Sequence, residues 1–217
     1  MIGLMMKDFV NLKKNFKIFA LLTLLYGFMA FTSEDASFFS SIFTMLIAIL
    51  TLSTYSYDEI AKWDVYALTM PVSREDIVGG KYAIMISLTL IGSVVSTAFT
   101  VILNVVLKNG ELTAGVTSCW IGAAIIVLFY SLSLPFITKL GVEKARMIFF
   151  AIYIIPFAIF YLLSKAVKEG NLTIPERLID IGRRLMDNAY LLLPLFLLFA
   201  LILSYTVSVQ IYRKKEF

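Results

Sequence analysis

"AYLLLPLFLLFALIL", residues 189–203, carries no charged side chain and no alternation of apolar with polar residues. A lipid-facing barrel strand alternates, because its successive side chains point to opposite faces. A run that is apolar at every position reads as a helix. Within lipid each backbone N–H and C=O must be satisfied inside the segment, which a helix does and an open strand does not. The full run extends to residue 211. Five others read the same way, at about 16–32, 38–56, 82–107, 116–138 and 147–163, and none has Asp, Glu, Lys or Arg in its interior. Each reaches the roughly 17–20 residues that cross a hydrocarbon core. The expectation is an all-α membrane protein, one domain over 1–217, with six transmembrane helices.

Composition agrees. The chain is 60% hydrophobic and 16% charged, with mean hydropathy +0.88, against about 45–50% and 25% for soluble domains. Lys13, Lys14 and Lys17 precede the first run as they would in a signal peptide. "FMAFTS" offers no small-x-small cleavage site, so the run is read as a retained first span. The single Cys119 excludes an intrachain disulfide, and the absence of His removes imidazole metal ligands and His general bases. No metal site is expected. The net charge of +4 is explained by topology, without a nucleic-acid partner.

Basic residues near span ends stay on the cytoplasmic side. Lys7, Lys13, Lys14 and Lys17 lie before span one, and Lys62, Arg74 and Lys81 between spans two and three. Lys139, Lys144 and Arg146 lie between spans four and five, and Arg213, Lys214 and Lys215 follow span six. The opposite side holds Lys108, then Lys165, Lys168, Arg177, Arg183 and Arg184. Both termini are therefore expected in the cytoplasm. The last outer loop is the dissenting one, and its "TIPERLIDIGRRLMDN" has helical order of its own. Thr173 and Glu176 fit a capping box, and Ile174, Leu178, Ile181 and Leu185 form one stripe. A short outer helix at about 173–187 is expected, as a lid over the spans or lying at the headgroups. At the other end, Met5, Phe9, Leu12 and Phe16 recur at helical spacing, while Lys7, Asp8, Lys13, Lys14 and Lys17 fill the remainder. That is the pattern of an amphipathic interfacial helix.

No span interior offers the ionisable residue that a proton-coupled carrier usually holds in the bilayer. "GGKY" at 79–82 lacks the spacing and the Ser/Thr of a phosphate-binding loop. The adjacent pairs Asp58–Glu59 and Glu75–Asp76 would point about 100° apart on a helix and make poor acid/base couples. The chain is not read as an enzyme, and binds no cofactor itself. Active work would need energy from a bound partner.

Between spans two and three lies "YDEIAKWDVYALTMPVSREDIVGGKY", residues 57–82. Residues 57–68 read as a short helix, with Ile60, Trp63, Ala67 and Leu68 on one face and Asp58, Glu59, Lys62 and Asp64 over the rest. Trp63 and Tyr66 suit a headgroup boundary or a protein interface. Pro71 forces a break. Ser73 with Asp76 caps a second helix, and Gly79 with Gly80 is a pliable joint before span three. Two readings stay open at this point: a lever that passes force to span three, or a solvated connector with ordinary caps.

This stretch resembles the cytoplasmic loop of ABC-2-type transporter permeases, in the small single-domain bacterial branch. The resemblance rests on Asp58, Glu59, Trp63, Asp64, Tyr66, Leu68, Pro71, Val72, Ser73, Arg74, Ile77, Val78, Lys81 and Tyr82. It implies that the loop at 57–81 docks on a separate cytoplasmic ABC ATPase, two copies per complex, which would hold the ATP and Mg. It implies a second permease subunit, as a homo- or heterodimer, in a bacterial plasma membrane. Asp58 to Leu68 would be the coupling helix, with Trp63 and Tyr66 as apolar anchors. Asp58, Glu59, Lys62 and Asp64 would set electrostatic fit, while Pro71 shapes the turn. Arg74 and Glu75 would reach the ATPase or cap the next helix. The exported substrate would be an amphipathic or antimicrobial peptide, a lipid or a drug. The alternatives are a non-transporting scaffold, sensor or immunity protein, and an ion-coupled carrier. Along span three, Ser93, Ser96 or Thr97, Thr100 and Asn104 share a face that either packs closely on a neighbour or lines a path.

Overall fold

A computed structural model describes residues 2–33, 36–107, 112–168, 180 and 188–215. Among the described residues the chain is helical, with turns and no strand. α1 (Ile2–Leu12) leads through a 3₁₀ turn at Lys13–Asn15 into α2 (Phe16–Ser33), followed by α3 (Ala36–Ile60) and the short α4 (Trp63–Ala67). α5 (Arg74–Leu107), α6 (Leu112–Leu140), α7 (Val142–Lys168) and α8 (Ala189–Lys214) complete the order. Each of the six apolar runs falls within one of these helices. Arg74–Val106, Gly115–Leu140 and Leu192–Lys214 are long and apolar enough to cross a membrane by length and composition, and Lys17–Met29 is a shorter apolar helix. The outer helix expected at about 173–187 lies outside the described residues apart from Asp180. Pro135 and Pro194 sit inside α6 and α8.

Apolar side chains such as Leu24, Phe28, Ile102, Ile121, Phe157 and Ile202 face outward. Exposure of this kind is stable only against hydrocarbon, so the chain is a membrane protein. The main core lies at one end of the bundle rather than its middle. There Ala67 and Ile77, Val78, Tyr82 and Met85 of α5 meet Tyr130, Leu134 and Ile137 of α6. Val142 and Ala145 of α7 and Val209 and Tyr212 of α8 close the cluster. α4 is thus seated on the bundle by the fully buried Ala67, with Trp63 and Leu68 packed against the same cluster.

Polar seams hold the helices in register. Tyr82 Oη lies 2.6 Å from Ser204 Oγ and 2.8 Å from Ser208 Oγ. Ser204 itself donates to the Ser131 carbonyl, so Tyr82 donates to Ser204 and accepts from Ser208. One chain of hydroxyls therefore joins α5, α8 and α6. Further along α5, Ser93, Ser96 and Thr100 are fully buried, and Ser96 and Thr100 lie 3.5 and 3.6 Å from Cys119 Sγ of α6. That part of the expected face packs within the chain. Thr97 and Asn104 are half-buried, and each bonds a carbonyl of its own helix.

The α6–α7 corner depends on Gly141. Its φ is +80°, a left-handed value that side chains resist, and its N–H closes α6 on the Ile137 carbonyl at 2.8 Å. A Cβ there would lie 2.5 Å from Glu59 Oε1. Gly141→Ala is expected to destabilise the protein by about 1–2 kcal/mol from the backbone alone, and to push Glu59 aside. A thermal unfolding midpoint in detergent equal to the parent's would refute this.

Candidate functional site

The stretch 57–82 folds differently from its sequence reading. α3 runs on through Asp58 to Ile60, and the break comes at Lys62, whose φ of 50° turns the chain left-handed. α4 is therefore a five-residue helix, not one spanning 57–68. The Ala61 and Lys62 N–H groups close the end of α3 on the Tyr57 and Glu59 carbonyls at 3.0 and 3.2 Å. After α4, tight turns through Thr69 and Met70 lead past the exposed Pro71. Ser73 then opens α5, accepting the Asp76 N–H at 3.0 Å and donating to its carboxylate at 2.6 Å.

From Arg74 the helix is unbroken for 34 residues, about 51 Å at 1.5 Å per residue and well beyond the roughly 30 Å of a hydrocarbon core. Gly79 and Gly80, expected as a joint, lie buried within the continuous α5. Gly80 instead permits close approach of α1, a Cβ there already meeting Leu4 Cβ at 3.4 Å.

At this end of the bundle four charges close into an alternating ring. Lys7 Nζ lies 2.6 Å from Asp58 Oδ1 and 3.1 Å from Asp8 Oδ1. Lys81 Nζ lies 2.6 Å from Asp58 Oδ2 and 3.0 Å from Asp8 Oδ2. Asp8 is 2% exposed, and Asp58 and Lys81 are buried too. Each ammonium also caps a ring face, Lys7 over Trp63 at 4.2 Å and Lys81 over Tyr55 at 5.0 Å. The ring is neutral, and each ion faces opposite charges, as burial of ions requires. It binds α1, the end of α3 and the start of α5 together at the root of α4.

Several residues expected on a docking face are bonded to other parts of the same chain. Asp58 belongs to the ring. Glu59 accepts the Val142 N–H at 2.7 Å, capping the start of α7. Arg74 donates to the carbonyls of Tyr212, Arg213 and Lys215 at 3.0, 2.7 and 3.2 Å, closing the C-terminus of α8. Glu75 pairs with Arg213. Asp64 is half-buried, 3.9 Å from Lys215 Nζ, and Leu68 packs on the core. Trp63 is half-buried beneath Lys7, its ring 5.4 Å from that of Tyr66. What faces outward is Ile60 at 81%, Val65 at 52% and Tyr66 at 57% exposure, with Glu59, Lys62, Pro71 and Glu75 also exposed.

Sequence reasoning missed Lys7, Asp8 and Lys81. It placed the first two on the solvated side of α1 and read Lys81 as a lysine at the membrane surface. The one available signal was an acid and a base, Asp8 and Lys7, beside the apolar stripe of α1. A cavity of about 100 Å³ opens beside the ring, lined by Asp58, Glu59, Asp64, Lys81, Tyr212 and Lys215 among others. Drug-sized ligands fill about 300–1,000 Å³, so this cavity is too small for such a cargo. The arrangement leaves Val65 and Tyr66 of a short helix facing outward, with Ile60 of α3 nearby in sequence, while the root of that helix is tied to three other helices.

A family model described as ABC-2 family transporter protein matches residues 3–213. No curated protein and no solved structure matches the chain.

Proposed function

The chain belongs to the ABC-2 transporter family, and from that premise we propose that it is the membrane half of an ATP-driven exporter. In this reading six spans cross a bacterial plasma membrane with both termini in the cytoplasm, and two permease chains work with two ATPase subunits. Those subunits hold the ATP and Mg, and the substrate is an amphipathic or antimicrobial peptide, a lipid or a drug. α4 is the point of contact, with Val65 and Tyr66 forming its docking face and Ile60, at the end of α3, beside it. Lys62 and Pro71 border that face.

One observation carries the proposal: the patch on α4 points outward while its base is fastened to α1, α3 and α5 through the ring of Lys7, Asp8, Asp58 and Lys81. A push on α4 thus reaches a continuous α5 without a slack joint. A stiff rod carries displacement; a flexible connector would dissipate it. Co-purification in mild detergent with an ABC ATPase from the same cells tests the reading. A stable complex whose ATP hydrolysis responds to the permease is the expected result. A chain that purifies intact and never retains an ATPase would leave a non-transporting membrane protein.

A further inference from the structure

A second, larger hollow lies on the lipid-facing side, between α2 and the surface of α3 and α5. It is a groove of about 790 Å³, walled by Phe9 and Leu12 of α1, Ala20 and Leu24 of α2, Ile47 of α3 and Leu88 of α5, with Lys13 also in its lining. Its wall is almost wholly apolar. The hydroxyl of Thr23, which also lines it, is turned onto the Phe19 carbonyl of its own helix at 2.7 Å. From Lys13 to Leu24 the wall runs about 16 Å at helical rise, about half of the roughly 30 Å hydrocarbon thickness. That is the depth of one leaflet.

The charge around Lys13 is one-sided. Lys13, Lys14 and Lys17 are exposed, and among the described residues no carboxylate pairs with them. Asp8, the acid nearest in sequence, is spent on Lys7 and Lys81. The turn bearing Lys13 is held in place, because Tyr57 donates to Asn15 Oδ1 at 2.9 Å. The groove thus pairs a slot one acyl chain deep with a fixed cationic rim.

We infer that this groove is a binding site for an anionic phospholipid of the leaflet on which α1 lies. One acyl chain fills the slot and the phosphate sits at Lys13 and Lys14. The site does not depend on ATP or on the exporter reading. It makes a lipid part of the packing between α2 and α3, where protein side chains leave the space open.

Native mass spectrometry of the purified chain, offered dioleoyl-phosphatidylglycerol and dioleoyl-phosphatidylcholine at equal concentration, tests it. The parent is expected to retain the phosphatidylglycerol preferentially. Lys13→Gln with Lys14→Gln lowers that retention about fivefold per lysine, the effect of one basic side chain beside an anionic headgroup. Lys144→Gln, the same charge loss elsewhere, leaves it unchanged. Ala20→Phe fills the slot and lowers retention of both lipids, with Ala20→Leu as the smaller filling should the first variant fold poorly. Equal retention of the two lipids, insensitive to all of these changes, would overturn the inference and mean surrounding lipid only. Efficient cross-linking of Leu24→Cys between two copies, with no lipid retained, would also overturn it, since a second chain would then cover the groove.

Discussion

Asp8→Asn is expected to destabilise the protein by about 3 kcal/mol, because it leaves Lys7 and Lys81 sharing one buried carboxylate. The loss falls at the low end for a broken buried pair, since the Lys7 side chain is still 21% exposed and water relieves part of the imbalance. The diagnostic variant is the double, Asp8→Asn with Lys81→Met. It removes one positive and one negative charge, restores neutrality around the remaining Lys7–Asp58 pair, and should recover most of the loss. Thermal unfolding in detergent of the parent, both single variants and the double reads the cycle. If the double is as unstable as the two single losses added together, the ring is not an electrostatic unit and α1 is held by apolar packing alone.

The second large effect concerns binding. Tyr66→Ala is expected to weaken retention of the ATPase subunit about 30-fold, the consequence of losing about 2 kcal/mol at an interface hot spot. It should leave thermal stability unchanged, because the Tyr66 ring projects outward. Trp63→Ala is the contrasting variant. Its ring lies under Lys7 and against the core cluster, so it should lower stability together with binding. Titration of the ATPase onto immobilised permease, read beside unfolding midpoints, separates the two. The docking face would be misplaced if Tyr66→Ala bound the ATPase as the parent does.

That contrast marks where sequence reading reached and where it stopped. Trp63 and Tyr66 are both amphipathic aromatics in one loop, and nothing local distinguishes them. The left-handed turn at Lys62 sets the rotation of α4, and only that rotation sends one ring inward and the other outward. Gly79 and Gly80 lie inside one unbroken helix. Glycine permits a bend without requiring one, and contact with Leu4 of α1 gives Gly80 a different purpose. The Ser73–Asp76 cap was legible because both of its partners lie within one turn.

What the sequence by itself determined is the class: apolar runs too long and too uniform for strands, in a chain too hydrophobic for water, with one helix start marked by Ser73. These are one-dimensional signals, since spacing and polarity act on neighbours along the chain. Which charges are spent inside was decided by the tertiary structure. Lys7 and Asp58 stand 51 positions apart, and their pairing depends on how three helices are rotated and stacked. A carboxylate has the same formula on a solvated face as in a neutral buried ring, and only packing assigns it to one or the other.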